Sequence, residues 1–145
     1  MRVKVNVRVD TKKLRIAPDA CQSQLNQSAK DCGQSLRATA AGAAPFLTGV
    51  LEKSGRLQMS YSHGSATARV DFKAMRGSFD YAQKMHNSVY NLGKLSRAKK
   101  GTTGMSGKFY PVGPKYLERP LYGELFTYRG YIETRLQKVL KGLGG

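Results

Sequence analysis

The chain has 145 residues, which suits a single domain spanning residues 1–145. Lys and Arg number 25 against 9 Asp and Glu, so the formal net charge is +16 and an acidic protein or nucleic acid is the expected partner. Hydrophobic residues make up 40% of the chain, which argues against disorder of the whole. No apolar run approaches the roughly 18 residues of a membrane-spanning helix, so we expect no membrane contact.

The N-terminal arm, residues 1–15, begins with a strand, because Val alternates with Arg, Lys and Asn over residues 1–9. A helix is predicted from Ala20 to about Ala44, with Asp19 at its start. Its apolar residues recur at spacings of three and four, and Pro45 follows its end.

Two strands are predicted next, over residues 56–61 and 66–72, because apolar and polar residues alternate in both. His63, Gly64 and Ser65 lie between them as a hairpin turn. With the N-terminal strand, these make a small antiparallel sheet of three to four strands, whose apolar face the first helix can cover.

Apolar residues at helical spacing predict a short helix over residues 79–89, with Ser78 or Asp80 as its cap. A long amphipathic helix is predicted to begin between Pro114 and Pro120 and to run to about Leu140. The fold class expected is therefore α+β, with the sheet flanked by one long helix near each end of the chain.

Residues 91–113 are predicted as a long loop, because they are rich in Gly and Lys and hold no acidic residue. A loop of this kind could neutralise DNA phosphates or order against an acidic protein. Its candidate contact residues are all cations: Lys94, Arg97, Lys99, Lys100 and Lys108.

No motif in the sequence indicates a catalytic, cofactor or metal site. Cys21 and Cys32, if on one helix, lie about 16 Å apart, too far for a disulfide, so we expect two reduced thiols.

The two histidines have structural interpretations: His63 is expected in an exposed turn and His86 at the edge of a core. An alternative is a small basic nuclease that uses His86 with Asp80.

Three short segments serve as landmarks along the chain. The first holds Pro45, Thr48, Gly49, Leu51 and Ser54; the second holds Tyr81, Ala82 and His86; the third holds Lys115, Tyr116, Leu117, Glu118 and Pro120. In order and rough spacing, from about residue 15 to residue 141, they resemble the minor capsid or tail-completion proteins of the bacteriophage neck. Asn87 stands where many of those proteins have an acidic residue.

That resemblance implies an α+β fold without enzymatic activity or cofactor, in a virion protein made in the host cytoplasm. It also implies a homo-oligomeric ring of six or twelve copies between the DNA-filled head and the tail. Its partners would be other neck proteins, such as a head-closure adaptor, a tail terminator or the tail tube, with possible contact to packaged DNA. The alternative is a free basic protein that binds nucleic acid, for which we expect a steep dependence on salt.

Overall fold

The α+β class is confirmed in a computed structural model, which describes residues 2–8, 18–46, 49–88 and 90–144. The first helix, α1, spans Pro18–Ala43, and the last, α5, spans Glu118–Gly144. The described residues between them form three short helices: α2 at Val50–Lys53, α3 at Tyr81–Asn87 and α4 at Lys94–Ala98. Both long helices agree with the prediction from apolar periodicity.

The main sheet contains β1 (Arg2–Arg8), β2 (Arg56–Ser62) and β3 (Ser65–Asp71) in the antiparallel order β1-β3-β2. Ser62 pairs with Ser65, so the hairpin turn has two residues, His63 and Gly64. Gly64 has φ 75, which suits the tight turns that join twisted strands. Ser65, predicted within the turn, is thus the first residue of β3.

One face of the sheet packs against α1, which also contacts α5. Gly33 allows this close approach, because a Cβ atom there would lie 2.7 Å from Leu57 Cδ1 and 3.2 Å from Ala68 Cβ. The shared core is apolar and includes Leu25, Leu36, Val70, Phe72, Tyr116, Leu117 and Ile132.

Two small hairpins complete the described structure. Strand β4 (Met75–Arg76) pairs with β5 (Phe79–Asp80), and β6 (Thr102–Thr103) pairs with β7 (Phe109–Tyr110). The helix predicted over residues 79–89 is therefore shorter at its start, where Asp80 caps α3 by accepting a hydrogen bond from the Gln83 amide. Val89, at its predicted end, lies outside the described residues.

The packing at Gly33 gives a prediction with a matched glycine as control. Gly33→Val should lower the free energy of unfolding by about 1 to 3 kcal/mol, because the branched side chain would force α1 away from the sheet. Gly130 is exposed on α5, and a Cβ atom added there would meet no heavy atom within 4 Å, so Gly130→Ala should raise stability by about 1 kcal/mol. Urea unfolding measures both, and a neutral Gly33→Val would contradict the described packing.

Candidate functional site

The C-terminal end of α1 is held by residues 91–113, which were predicted as a long loop and are here called the basic segment. The last turn of α1 has no basic residue of its own. Lys99 supplies the charge, because its Nζ donates hydrogen bonds to the carbonyl oxygens of Ala41 at 2.8 Å and Ala44 at 2.6 Å. A cation at this end of a helix satisfies unpaired carbonyl groups and interacts favourably with the helix dipole.

Lys99 also pairs with an acidic residue of the next helix. Its Nζ lies 2.7 Å from Glu52 Oε2, and its side chain is only 18% exposed. Lys99 was predicted as a contact to DNA or an acidic partner, and here its ammonium group makes contacts within the subunit. It joins α1, α2 and the basic segment.

Two further contacts fix the basic segment near the same place. The buried Ser96 hydroxyl accepts a hydrogen bond from the Phe46 amide at 2.8 Å and donates to the Phe46 carbonyl at 3.0 Å. The Gly113 amide donates to the Ala43 carbonyl at 3.1 Å. Residues 91–113 thus include an anchored helix, α4, and the β6–β7 hairpin, although most of their positions lie outside regular elements.

The buried carboxylate of Glu124, on α5, holds the β6–β7 hairpin. It accepts hydrogen bonds from the Ser106 amide at 2.9 Å, from the Ser106 hydroxyl and from Tyr110 Oη at 3.0 Å. Burial by itself raises the pKa of Glu124, but these hydrogen bonds and the charge of Lys108 outweigh it, so the pKa is lowered. Gly104 lets the hairpin lie directly against this carboxylate.

The other four predicted contact cations remain at the surface. Lys94, Arg97, Lys100 and Lys108 are all exposed, and the Nζ of Lys108 donates to the Gly123 carbonyl at 3.2 Å. The structure therefore leaves these four open to solvent on an anchored segment.

The second and third landmarks meet at His86, which is fully buried. Its Nε2 accepts a hydrogen bond from the Glu118 amide at 3.2 Å, at the first residue of α5. Because a backbone amide can only donate, Nδ1 carries the proton and donates to Asn87 Oδ1 at 3.0 Å. Burial lowers the pKa of His86, so the neutral ring caps the helix.

Tyr116 completes this junction between α3 and α5. Its ring packs edge-to-face against His86 at 5.1 Å and Phe72 at 5.5 Å, and its hydroxyl donates to the Ala82 carbonyl at 2.7 Å. Lys115, at φ 56, turns the chain so that its amide donates to the His86 carbonyl at 2.7 Å. The landmark residues therefore interlock as parts of the fold.

The remaining landmark residues are mostly buried or half-buried. Pro45, Gly49, Leu51, Leu117 and Pro120 are buried, while Tyr81 is half-buried. Gly49 has φ 83 at the start of α2, and Ser54 Oγ donates to the Leu51 carbonyl at its end. Lys115 and Glu118 form a partly exposed ion pair at 3.5 Å, and Thr48 lies outside the described residues.

The structure does not bring Asp80 and His86 together as an acid and base pair. Asp80 caps α3 through the Gln83 amide, whereas both His86 nitrogens face Glu118 and Asn87. Within the described ranges, no three His, Cys, Asp or Glu side chains are grouped so as to hold a metal ion. Cys21 and Cys32 are buried on α1 and form no disulfide with each other.

An aromatic stripe at the start of α5 was not predicted as a site. We use this name for Tyr122 and Phe126, which are 66% and 87% exposed. Leu125, which precedes Phe126 in the chain, lines an apolar cleft of about 660 Å³ between α1, α5 and the sheet. The signal was present in the sequence, because the helical spacing of Leu121, Tyr128 and Ile132 defines the side that packs on the core and leaves both aromatic rings outside it.

Comparison of the chain with protein-family models, curated proteins and solved structures finds no match. Across the described parts of the chain, no helix combines the length and hydropathy that a bilayer span requires.

Two neighbouring lysines test the anchoring of the basic segment. Lys99→Met should lower the free energy of unfolding by about 1.5 to 3 kcal/mol, because it leaves two carbonyl groups and Glu52 without their charged partner. Lys100→Met, at an exposed position, should change it by less than about 0.5 kcal/mol. Urea unfolding of both variants decides the matter, and equal effects would contradict the role of Lys99.

The buried histidine predicts a specific dependence on pH. Because folding lowers the pKa of His86 below 6.5, the unfolded chain takes up this proton first, and stability should fall as the pH drops through that value. His86→Phe should lower stability by about 1 to 3 kcal/mol at neutral pH, since the Glu118 amide loses its acceptor.

Urea unfolding above and below the ordinary histidine pKa measures this effect. His86→Phe should flatten the dependence of stability on pH. An unchanged dependence in His86→Phe would overturn the assignment.

Proposed function

We propose that this chain is a structural, non-enzymatic subunit of a tailed bacteriophage virion. It acts in the neck, as part of a ring of six or twelve copies that joins the DNA-filled head to the tail. Its neighbours are other neck proteins, of the head-closure, tail-terminator or tail-tube kind. The resemblance of the three landmarks to phage tail-completion proteins is the origin of this proposal.

The observation that carries the proposal is the way the landmarks fit together. Segments far apart in the sequence meet through the His86 contact to Glu118 and the Tyr116 contact to Ala82. These are packing and capping contacts, which build a subunit rather than a reaction centre. Landmarks with a shared structural role are what a common fold requires, which supports the proposal of a structural subunit.

The aromatic stripe supports assembly with other protein chains. Monomeric soluble proteins rarely leave large apolar patches in water, and exposed aromatic residues are enriched at protein interfaces. Tyr122 and Phe126 are neighbours one turn apart on α5, beside the apolar cleft. A contact between this stripe and a different surface of the next copy would be heterologous, the type of contact that closes into rings.

The direct test is deletion of the gene from the phage that carries it, followed by electron microscopy of the particles. We expect filled heads and finished tails that fail to join. Intact, infectious particles would overturn the proposal and favour the alternative, a free basic protein that binds nucleic acid.

Complementation with a variant tests the aromatic stripe separately. Tyr122→Ser with Phe126→Ser should keep the folded subunit, because both rings are exposed, yet should fail to restore joined particles. Phe79→Ser, at a 44% exposed ring on β5, is the control and should restore them. Full rescue by the double variant would exclude the stripe as an assembly contact.

A further inference from the structure

We propose that the outward face of the main sheet is a binding surface for duplex DNA, contacted through its phosphates. This face, here called the basic sheet face, lies on the side of β1, β3 and β2 opposite α1. The inference goes beyond ring assembly and does not depend on it.

The register of the sheet gathers cations that are far apart in the sequence. Arg2 and Arg56 stand on either side of Asp71, and the next outward row places Lys4 and Gln58 on either side of Arg69. Neighbouring strands lie about 4.8 Å apart, and outward rows about 7 Å apart. Arg8 follows on β1, so five basic positions share the face.

The other outward positions contribute little opposing charge. Asp71 is the one acidic position in the outward rows, and it lies 3.9 Å from Arg2, so five cations and one anion leave a net charge of +4. The remaining positions are uncharged and polar: Asn6, Gln58, Ser60, Ser62, Ser65 and Thr67.

The face is accessible to a partner. Ala66, Ala68 and Val70 of β3 point toward α1 and are buried, so the alternate residues point the other way. On β2, the outward residues Arg56, Gln58, Ser60 and Ser62 are all exposed.

Nucleic acid fits the face better than an acidic protein does. Protein interfaces centre on buried aromatic and apolar side chains, and the outward rows hold none. Phosphate oxygens are instead contacted by Arg and Lys together with Ser, Thr, Asn and Gln, which are the residue types of this face. Contacts of this kind fix position on a duplex without reading its sequence.

The experiment measures fluorescence anisotropy of a short labelled DNA duplex with the full chain over a range of salt concentrations. The test variant is Arg56→Gln with Arg69→Gln. The control, Lys138→Gln with Lys141→Gln, removes the same charge from exposed positions near the end of α5.

We expect the slope of log affinity against log salt to become shallower by about 1.8 in the sheet variant, because each phosphate that is no longer neutralised accounts for about 0.9. The control should keep the slope of the natural chain. Thermal unfolding of the sheet variant should occur at the temperature of the natural chain, because both substituted positions lie on the side of the sheet away from α1. Ser60→Glu, which adds an anion to the face, should also weaken binding and serves as the second variant.

Three results would overturn the proposal. They are the absence of salt-dependent binding by the natural chain, an equal or larger loss in the control, and equally effective competition by poly-glutamate of the same total charge. The last result would assign the face to acidic proteins. None of these results bears on whether head and tail join in the deletion experiment, so the two proposals fail separately.

Discussion

The contacts of Lys99 with the C-terminal end of α1 connect the parts of this fold. A helix end leaves carbonyl groups unpaired, and here the needed cation comes from a residue 55 positions beyond Ala44 in the sequence. The same ammonium group pairs with Glu52, and the Gly113 amide joins α1 from the other end of the basic segment. The C-terminal end of α1 therefore connects α2, the basic segment and the chain just before α5.

The division of the positive charge follows from this arrangement. Lys99 is partly buried and structural, while Lys94, Arg97, Lys100 and Lys108 are exposed on an anchored segment. The basic sheet face is a separate group, formed by strand pairing. Net charge describes the molecule as a whole, so only the fold separates the cations that hold it together from those that a partner can contact.

Much of the fold could be predicted from the sequence because its signals are local. Alternation marked β2 and β3, and apolar periodicity marked α1 and α5. The anchoring of residues 91–113 could not be predicted, because Lys99, Ser96 and Glu124 bond to partners distant in sequence. Helical spacing predicted a longer α3, but the first two residues of that prediction form β5, which pairs with β4. For the basic sheet face, the alternation of Val with polar residues along β1 is visible in the sequence, whereas Arg56 and Arg69 come next to β1 residues or their neighbours only through the register.

Amide hydrogen exchange of the natural chain tests most directly whether the basic segment is a fixed part of the fold. The informative amides are Phe46, Ser106 and Gly113, which donate to Ser96 Oγ, Glu124 Oε1 and the Ala43 carbonyl. They should exchange as slowly as the last turn of α1, and Lys99→Met should accelerate Phe46 and Gly113 together with that turn. Fast exchange at all three amides beside a protected α1 would contradict the account.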